Sequence, residues 1–359
     1  MDKLLITGGA GFIGSNFVHY WLEKYPDDSI VVLDLLTYAG NKNNLKTRLK
    51  LPNFKFIKGS VCDEALVNST LAENQINKIV HFAAESHVDR SITEPDAFIN
   101  TNILGTHTLL KVARDFWLGD KIRDHLFHHV STDEVYGSLD KGDVAFKETN
   151  SYAPNSPYAS SKAASDHLVR AYHKTYGLNV TTSNCSNNYG PYHFPEKLVP
   201  LCLLNILSGK ALPIYGDGKQ IRDWLYVQDH CRGIDLVLKK GIHGETYNIG
   251  GNNEWKNIDV VFLLCDVVNE KFSVLPDLAI RFPDSPCAQN KDAKSLIKYI
   301  DDRPGHDVRY AVDATKIHSQ LGYEPLTSFE KGLKTTVDWY LNNESWWRSI
   351  LDGSYKLYK

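Results

Sequence analysis

No stretch of this 359-residue chain approaches the ~18 consecutive apolar residues that a membrane-spanning helix needs. The strongest apolar run of its C-terminal half, residues 260–264, is soon cut by Asp266. The N-terminus lacks a basic segment followed by a long apolar one; Met1-Asp2-Lys3 runs straight into Leu4-Leu5-Ile6, so no secretory leader is expected. A charge excess of one sign is missing too. Forty Lys and Arg stand against 43 Asp and Glu, a net charge of -3, which calls for neither nucleic acid nor a membrane as partner. Cysteine is sparse: Cys62, Cys185, Cys202, Cys231, Cys265 and Cys287 show no C-x-x-C spacing, which fits reduced, structural thiols in a cytoplasmic protein. No His, Cys or acid cluster has metal-ligand spacing, so no metal is expected. His128-His129 reads as part of a strand, and Trp346-Trp347 as C-terminal packing.

What is present is alternation. With 42% hydrophobic residues the chain can build a sizeable core. Residues 3–7, 29–34, 54–58, 78–82 and 127–131 are short apolar runs that predict strands. Between them, residues 16–24, 65–74 and 101–114 predict helices, and 161–176 predicts a long one. Such alternation predicts an α/β fold with a doubly wound parallel sheet, whose strands are apolar because both faces are covered. After about residue 186 Pro, Gly and aromatics crowd together, as in Asn188-Tyr189-Gly190-Pro191-Tyr192-His193-Phe194-Pro195. That is loop chemistry, and it predicts a smaller mixed α/β lobe. Residues 282–294, polar with two prolines, predict an exposed loop.

Residues 8–14 read Gly-Gly-Ala-Gly-Phe-Ile-Gly, after a strand and at the start of a helix. Gly9, Gly11 and Gly14 fit G-x-G-x-x-G, while Gly8, Gly11 and Gly14 fit the wider G-x-x-G-x-x-G. Glycines allow a tight turn and let backbone N–H groups approach a pyrophosphate, and the helix N-terminus adds partial positive charge. Asp34 closes the next strand, 20 residues after Gly14. A carboxylate there accepts from both adenosine ribose hydroxyls and repels a 2′-phosphate, which favours NAD over NADP. The expected architecture is Rossmann-type: residues 1–187, with 229–250 returning to them, bind NAD, and residues 188–228 and 251–359 form the substrate lobe.

Tyr158-Ala159-Ser160-Ser161-Lys162 sets a phenol and an amine on one helical face, where the ammonium can lower the phenol's pKa and make it a base. Tyr-x-x-x-Lys recurs by chance and does not stand alone here. Ser131-Thr132-Asp133-Glu134-Val135-Tyr136-Gly137 follows a strand and puts a hydroxyl and two acids at its carboxyl end, where such sheets bind ligands. Two carboxyls in different surroundings can act as acid and base.

Together these segments resemble the dTDP-glucose 4,6-dehydratases of the extended short-chain dehydrogenase/reductase family. The resemblance spans the chain. It includes Ala83-Ala84-Glu85-Ser86-His87-Val88-Asp89-Arg90-Ser91, residues 184–200, Pro213-Ile214-Tyr215-Gly216, Gln220-Ile221-Arg222-Asp223-Trp224 and Asp302-Arg303-Pro304-Gly305-His306-Asp307. It implies that Tyr158 takes the C4 hydroxyl proton while NAD takes the hydride, with Thr132 bonded near O4 and Lys162 tuning the phenol. Glu134 then removes the C5 proton, Asp133 protonates the leaving C6 hydroxyl, the hydride returns to C6 and Glu134 returns a proton to C5. It further implies that Gly8, Gly11, Phe12, Ile13, Gly14, Asp34, Leu35, Thr37, Ser60, Val61, Ala83, Ala84, Thr101 and Asn188 surround NAD, with Tyr158 and Lys162. Ser86, Thr132, Asn187, Lys197, Leu198, Pro213, Ile214, Tyr215, Arg222, Asn257, Arg303 and His306 would hold the nucleotide sugar, Arg222 at the diphosphate. Two positions depart from the family: Leu35 stands where Lys is common, and Ser60 where an acid is. A homodimer is expected by the same resemblance. The alternatives are a 4,6-dehydratase for UDP-glucose or another nucleotide hexose, an epimerase, which should lack the Asp-Glu pair, and a non-catalytic NAD sensor, which should lose catalytic groups.

Overall fold

The computed structural model describes residues 1–120, 122, 124–302 and 306–358. Its strands are β1 (Lys3–Thr7), β2 (Ser29–Asp34), β3 (Phe54–Lys58), β4 (Lys78–His81), β5 (Leu126–Thr132), β6 (Val180–Cys185), β7 (Asn187–Tyr189), β8 (Leu212–Tyr215), β9 (Ile221–Tyr226), β10 (Thr246–Ile249), β11 (Glu254–Lys256), β12 (Ile297–Ile300) and β13 (Arg309–Tyr310). Seven form one parallel sheet in the order β3-β2-β1-β4-β5-β6-β10. Alternate residues of β1 feed two cores. Leu4 and Ile6 pack with Phe17, Trp21 and Ile234 on one face, and Leu5 packs with Val67, Leu109 and Val169 on the other. That is the doubly wound arrangement the apolar runs predict. The order reverses between β1 and β4, and a crevice at such a switch point is where these sheets take ligands.

The remaining strands build a mixed lobe. β9 pairs antiparallel with β11 and parallel with β13 and β7, and β12 lies beside β8. Helices Leu198–Leu207, Asn257–Val274 and Phe329–Asn342 close around Tyr189, Trp224 and Phe329. Trp347 is buried in this core and Trp346 Nε1 donates to Asn44 Oδ1 at 2.7 Å, so the tryptophan pair packs the C-terminal helix. Among the described residues, no helix is long and apolar enough to cross a membrane and no group of acids, His and Cys could hold a metal ion.

Three local differences have physical causes. The first helix starts at Phe12 rather than 16, because Gly11 is its N-cap and nothing stops the turn earlier. The expected 101–114 helix is a wide π turn, Ile99–Gly105, followed by Thr106–Gly119. In that turn the Asn102 amide bonds both the N–H (2.9 Å) and the carbonyl (3.0 Å) of Glu85, a demand that favours a widened turn near a site. Residues 282–294 are not an exposed loop. Phe282, Ser285, Cys287 and Ala293 are buried, and Asn269 Oδ1 accepts from Cys287 Sγ and the Ala293 N–H, each at 3.1 Å. The polar residues there serve tight turns while the small and apolar ones fill the lobe.

Candidate active site

The glycine loop leaves β1 and is shaped by close approach. Gly8 has φ +68°, and a Cβ there would lie 2.6 Å from the Ala83 nitrogen beyond β4. A Cβ on Gly14 would lie 2.3 Å from the Gly8 carbonyl oxygen, so only glycine lets the helix start this close to the strand. No side chain caps the helix that begins at Phe12, which leaves its first N–H groups for an anion. The Asp34 carboxylate accepts from the Ala10 N–H at 2.9 Å and the Leu36 N–H at 2.8 Å, tying β2 to the loop. These features fit a dinucleotide. Gly14→Val should therefore weaken NAD binding by roughly 10-fold or more, about 1.4 kcal/mol, in a fluorescence titration of a variant with native circular dichroism.

Around this loop stand the other residues expected near NAD. Thr37 hydrogen-bonds the Glu85 carboxylate, and Phe12 stacks on His193 with ring centres 4.3 Å apart. Ala83 and Ala84 follow β4, and Thr101 lies in the π turn that Asn102 clamps to the Glu85 backbone next to them. Asn188 donates to the Ser186 carbonyl and its Oδ1 lies 2.9 Å from His230 Nδ1. Ser60 Oγ accepts from the Cys62 N–H, Leu35 is 48% exposed, and the Val61 side chain is committed to the core, so Val61 can meet a cofactor only through its backbone. Ile13 is half-buried on the helix's first turn.

At the end of β5 the backbone passes into a single tight turn, Asp133–Tyr136, with Thr132 as its cap. Thr132 Oγ1 accepts from the Glu134 N–H at 3.3 Å, lies 3.4 Å from Asp133 Oδ1, and meets the Tyr158 hydroxyl. Asp133 is 1% exposed, and its Oδ2 has no hydrogen-bond partner among the described residues. Burial, then the charges of Glu134 and Asp223, hold this carboxyl well above the usual carboxylate range. Glu134, its neighbour, is only half-buried. The two acids thus occupy unlike surroundings.

Tyr158 and Lys162 lie on the Pro157–Tyr176 helix, which Ser156 caps and Pro157 opens. The expected direction of the phenol is corrected here. Burial, followed by Glu134, Cys185 and Asp133, pushes Tyr158 well above its ordinary pKa. Lys162 Nζ donates to the Val130 carbonyl at 2.9 Å, and burial pushes it down to about 8. The ammonium is thus tied to the end of β5.

The residues expected at the nucleotide sugar form two groups. In one, Lys197 Nζ donates to the Ser86 carbonyl at 3.2 Å, beside Leu198 at the start of its helix, and Asn187 Oδ1 is buried without a partner among the described residues. In the other, Tyr215 packs edge-on to His306, whose Nδ1 lies 2.6 Å from Asp302 Oδ1. Asp302 accepts from Gln220 at 3.0 Å, and the Gln220 carbonyl accepts from the Asn257 N–H at 3.0 Å. Pro213 shares strand β8 with Tyr215, while the Ile214 side chain is 2% exposed in the lobe core and leaves only its backbone for a ligand. Arg222 is buried over the Tyr310 ring and donates to the Ile221 and Asp307 carbonyls at 2.7 and 2.9 Å, so part of its fork is already engaged. Arg303 lies outside the described residues. Sequence reasoning missed His129 and Asp166, which surround Lys162, and Asn102, whose partners are backbone atoms and leave no sequence signal. Asp166 could have been found: it extends the Tyr158, Lys162 spacing by one more turn.

Comparison with known proteins agrees with this geometry. The family model described as GDP-mannose 4,6 dehydratase matches residues 5–336. The chain is 54% identical over 361 residues to dTDP-glucose 4,6-dehydratase of Xanthomonas campestris pv. campestris (strain B100), covering 99% of this chain and 98% of that one. It is 51% identical over 364 residues to the Escherichia coli dTDP-glucose 4,6-dehydratase, covering 98% and 97%. The crystal structure of the Streptomyces venezuelae dTDP-glucose 4,6-dehydratase with NAD and TYD bound superposes with a TM-score of 0.86 at 46% identity, covering 97% of this chain and 99% of that one. With the glycine loop, the Thr-Asp-Glu turn and the Tyr-Lys helix all brought to one end of a Rossmann-type sheet, the chain belongs to the NAD-dependent nucleotide-sugar 4,6-dehydratase family and, within it, groups with the dTDP-glucose 4,6-dehydratases.

Proposed function

We propose that this chain dehydrates dTDP-glucose to dTDP-4-keto-6-deoxy-glucose. The observation that carries the reading is the pair of adjacent carboxyls, one buried with its pKa pushed up, one half-exposed, beside a hydroxyl-bonded tyrosine. An epimerase has no use for a buried acid next to a base. NAD, when bound, supplies the oxidation at C4, the matching reduction at C6 and a positive charge near the phenol. Thr132 bonds near the C4 oxygen, and Tyr158, as its phenolate, accepts the C4 hydroxyl proton. The 4-ketone acidifies C5–H, and Glu134 accepts that proton and returns one to C5 as C6 is reduced. Asp133, buried and neutral, donates its proton to the C6 hydroxyl, which departs as water. Asn187, Lys197, Tyr215, Arg222, Asn257 and His306 hold the nucleotide, with Arg222 at the diphosphate.

The test is incubation of purified protein with dTDP-glucose and, separately, UDP-glucose, followed by mass spectrometry. Loss of one water from dTDP-glucose with no net NADH release is expected. An unchanged sugar nucleotide would end the reading, and faster turnover of UDP-glucose would move the base preference. Exposed Ile92, Ile99 and Leu104, on the helical segment packed beside the Pro157–Tyr176 helix, support a homodimer across that face, which light scattering reads directly. Enzymes of this chemistry draw on nucleotide sugars of the cytoplasm, and the free cysteines fit that compartment.

A further inference from the structure

The helix bearing Tyr158 and Lys162 carries a third ionisable group on the same face, Asp166, one more turn along. It is buried, and its carboxylate is caged. Oδ2 accepts from Ser131 Oγ and from the Tyr152 hydroxyl, each at 3.0 Å. Tyr152 is in turn held by Asn184 Nδ2 at 3.1 Å. Oδ1 lies 3.1 Å from His129 Nε2, and that nitrogen lies 3.5 Å from Lys162 Nζ. The proposed chemistry uses neither Asp166 nor His129, although both sit directly behind its lysine. A clip between helix and sheet would need only an oxygen acceptor, which an amide supplies. A carboxylate at this depth adds a charge, and a buried charge is costly unless a partner of opposite sign lies beside it.

We propose that Asp166, braced by Ser131 and Tyr152, is the counter-charge that keeps Lys162 an ammonium beneath Tyr158, and is thus a positioning residue for the dehydration, a reading that rests on the function proposed above.

The electrostatics agree with the geometry. Burial pushes Lys162 down to about 8, and Asp166 is the leading influence in the opposite direction. Burial pushes Asp166 up to about 6, and Lys162 leads the influences that lower it. Between those values both groups are charged. The other groups facing the lysine supply no anion. His129 on β5 and His81 on β4 are held neutral by burial, and the Cys185 thiol on β6 is pushed up by burial. His167 faces Asp166 from the same helix. A nearby opposite charge is worth about 1–3 pH units. Losing it would lower Lys162 further and favour an amine in place of the cation.

Asp166→Asn keeps the acceptor oxygen and removes the charge. The probe is the 13Cε resonance of Lys162 in lysine-labelled protein, assigned by its loss in Lys162→Met and followed from pH 5 to 10. Its midpoint should fall by about 1–3 units in Asp166→Asn. The alkaline limb of kcat should move down by the same amount, kcat at neutral pH should drop roughly 10-fold or more, and KM for dTDP-glucose should hold, since Asp166 touches no substrate. A folded Asp166→Asn whose Lys162 midpoint and kcat profile match the wild type would overturn the proposal. If Asp166→Asn does not fold, Tyr152→Phe serves, because it removes one donor from the carboxylate and leaves the charge. It should raise the acid limb of kcat, and an unmoved limb would equally overturn the proposal. Wild-type protein that leaves dTDP-glucose intact would sink the function, while the lysine midpoint would still report on the pair.

Discussion

Asp133→Asn will oxidise its substrate and then stall. The side chain keeps its size and loses the proton that the departing C6 hydroxyl needs, so kcat should fall by about 10²–10⁴-fold with KM little changed. Because C4 oxidation precedes elimination, NADH absorbance should build up in a single turnover. Glu134→Gln should stall at the same point by losing the C5 base. A native rate in both variants would remove these acids from the chemistry. The same substitution carries a stability signature with a definite sign. Burial holds the Asp133 carboxyl well above its ordinary range in the folded state. A carboxyl raised on folding contributes its stability fully below its unfolded pKa and loses it as pH climbs toward the folded value. Asn has no such proton. The urea midpoint of Asp133→Asn relative to wild type should therefore rise with pH from acid toward neutral. A difference independent of pH would mean that the carboxyl is not held protonated.

Much of this architecture was legible because its signals are local. The glycines at 8, 11 and 14 announce a turn that no other residue could make, and the clash distances at Gly8 and Gly14 bear that out. Five of the seven strands of the large sheet were readable to within a residue at each end, since double-sided burial leaves continuous apolar runs, whereas β6 and β10, rich in polar residues, gave no such run. Where the outcome rests on contacts across the chain, the sequence was mute. Asn102 turns a helix into a π turn by binding the backbone of Glu85, 17 residues away. The stretch 282–294 looks polar in composition, yet its few small and apolar members point inward. Tyr158 and Lys162 were recognisable from spacing. That the lysine also bonds the Val130 carbonyl and feels Asp166 follows from the strand beneath it, which spacing does not reveal. His129 read as a strand residue and is one, but the register of β5 also brings it between two charges.

Tyr158→Phe will fail one step earlier than either acid variant, and this difference separates the roles. The phenol is the group that meets Thr132 and, by the proposed chemistry, the C4 oxygen. Without it the C4 proton has no acceptor, oxidation does not begin, and bound NAD should stay oxidised when dTDP-glucose is added. A kcat loss of about 10²–10⁴-fold is expected, like that of Asp133→Asn, but with no burst of NADH. Folding should barely register the change. The phenol is raised further above a value that is already alkaline, so it is neutral in both folded and unfolded chains near pH 7 and contributes no pH-dependent stability there. What is lost is one hydrogen bond with Thr132, about 0.5–1.5 kcal/mol, an effect a urea titration resolves. A Tyr158→Phe protein that reduces its NAD at the wild-type rate would transfer the proton acceptor's role elsewhere. The nearest group able to take it is Glu134, whose charge already acts on this phenol. Adding Glu134→Gln to Tyr158→Phe decides that case: if Glu134 had taken over the C4 proton, the double variant loses the reduction that the single variant retained.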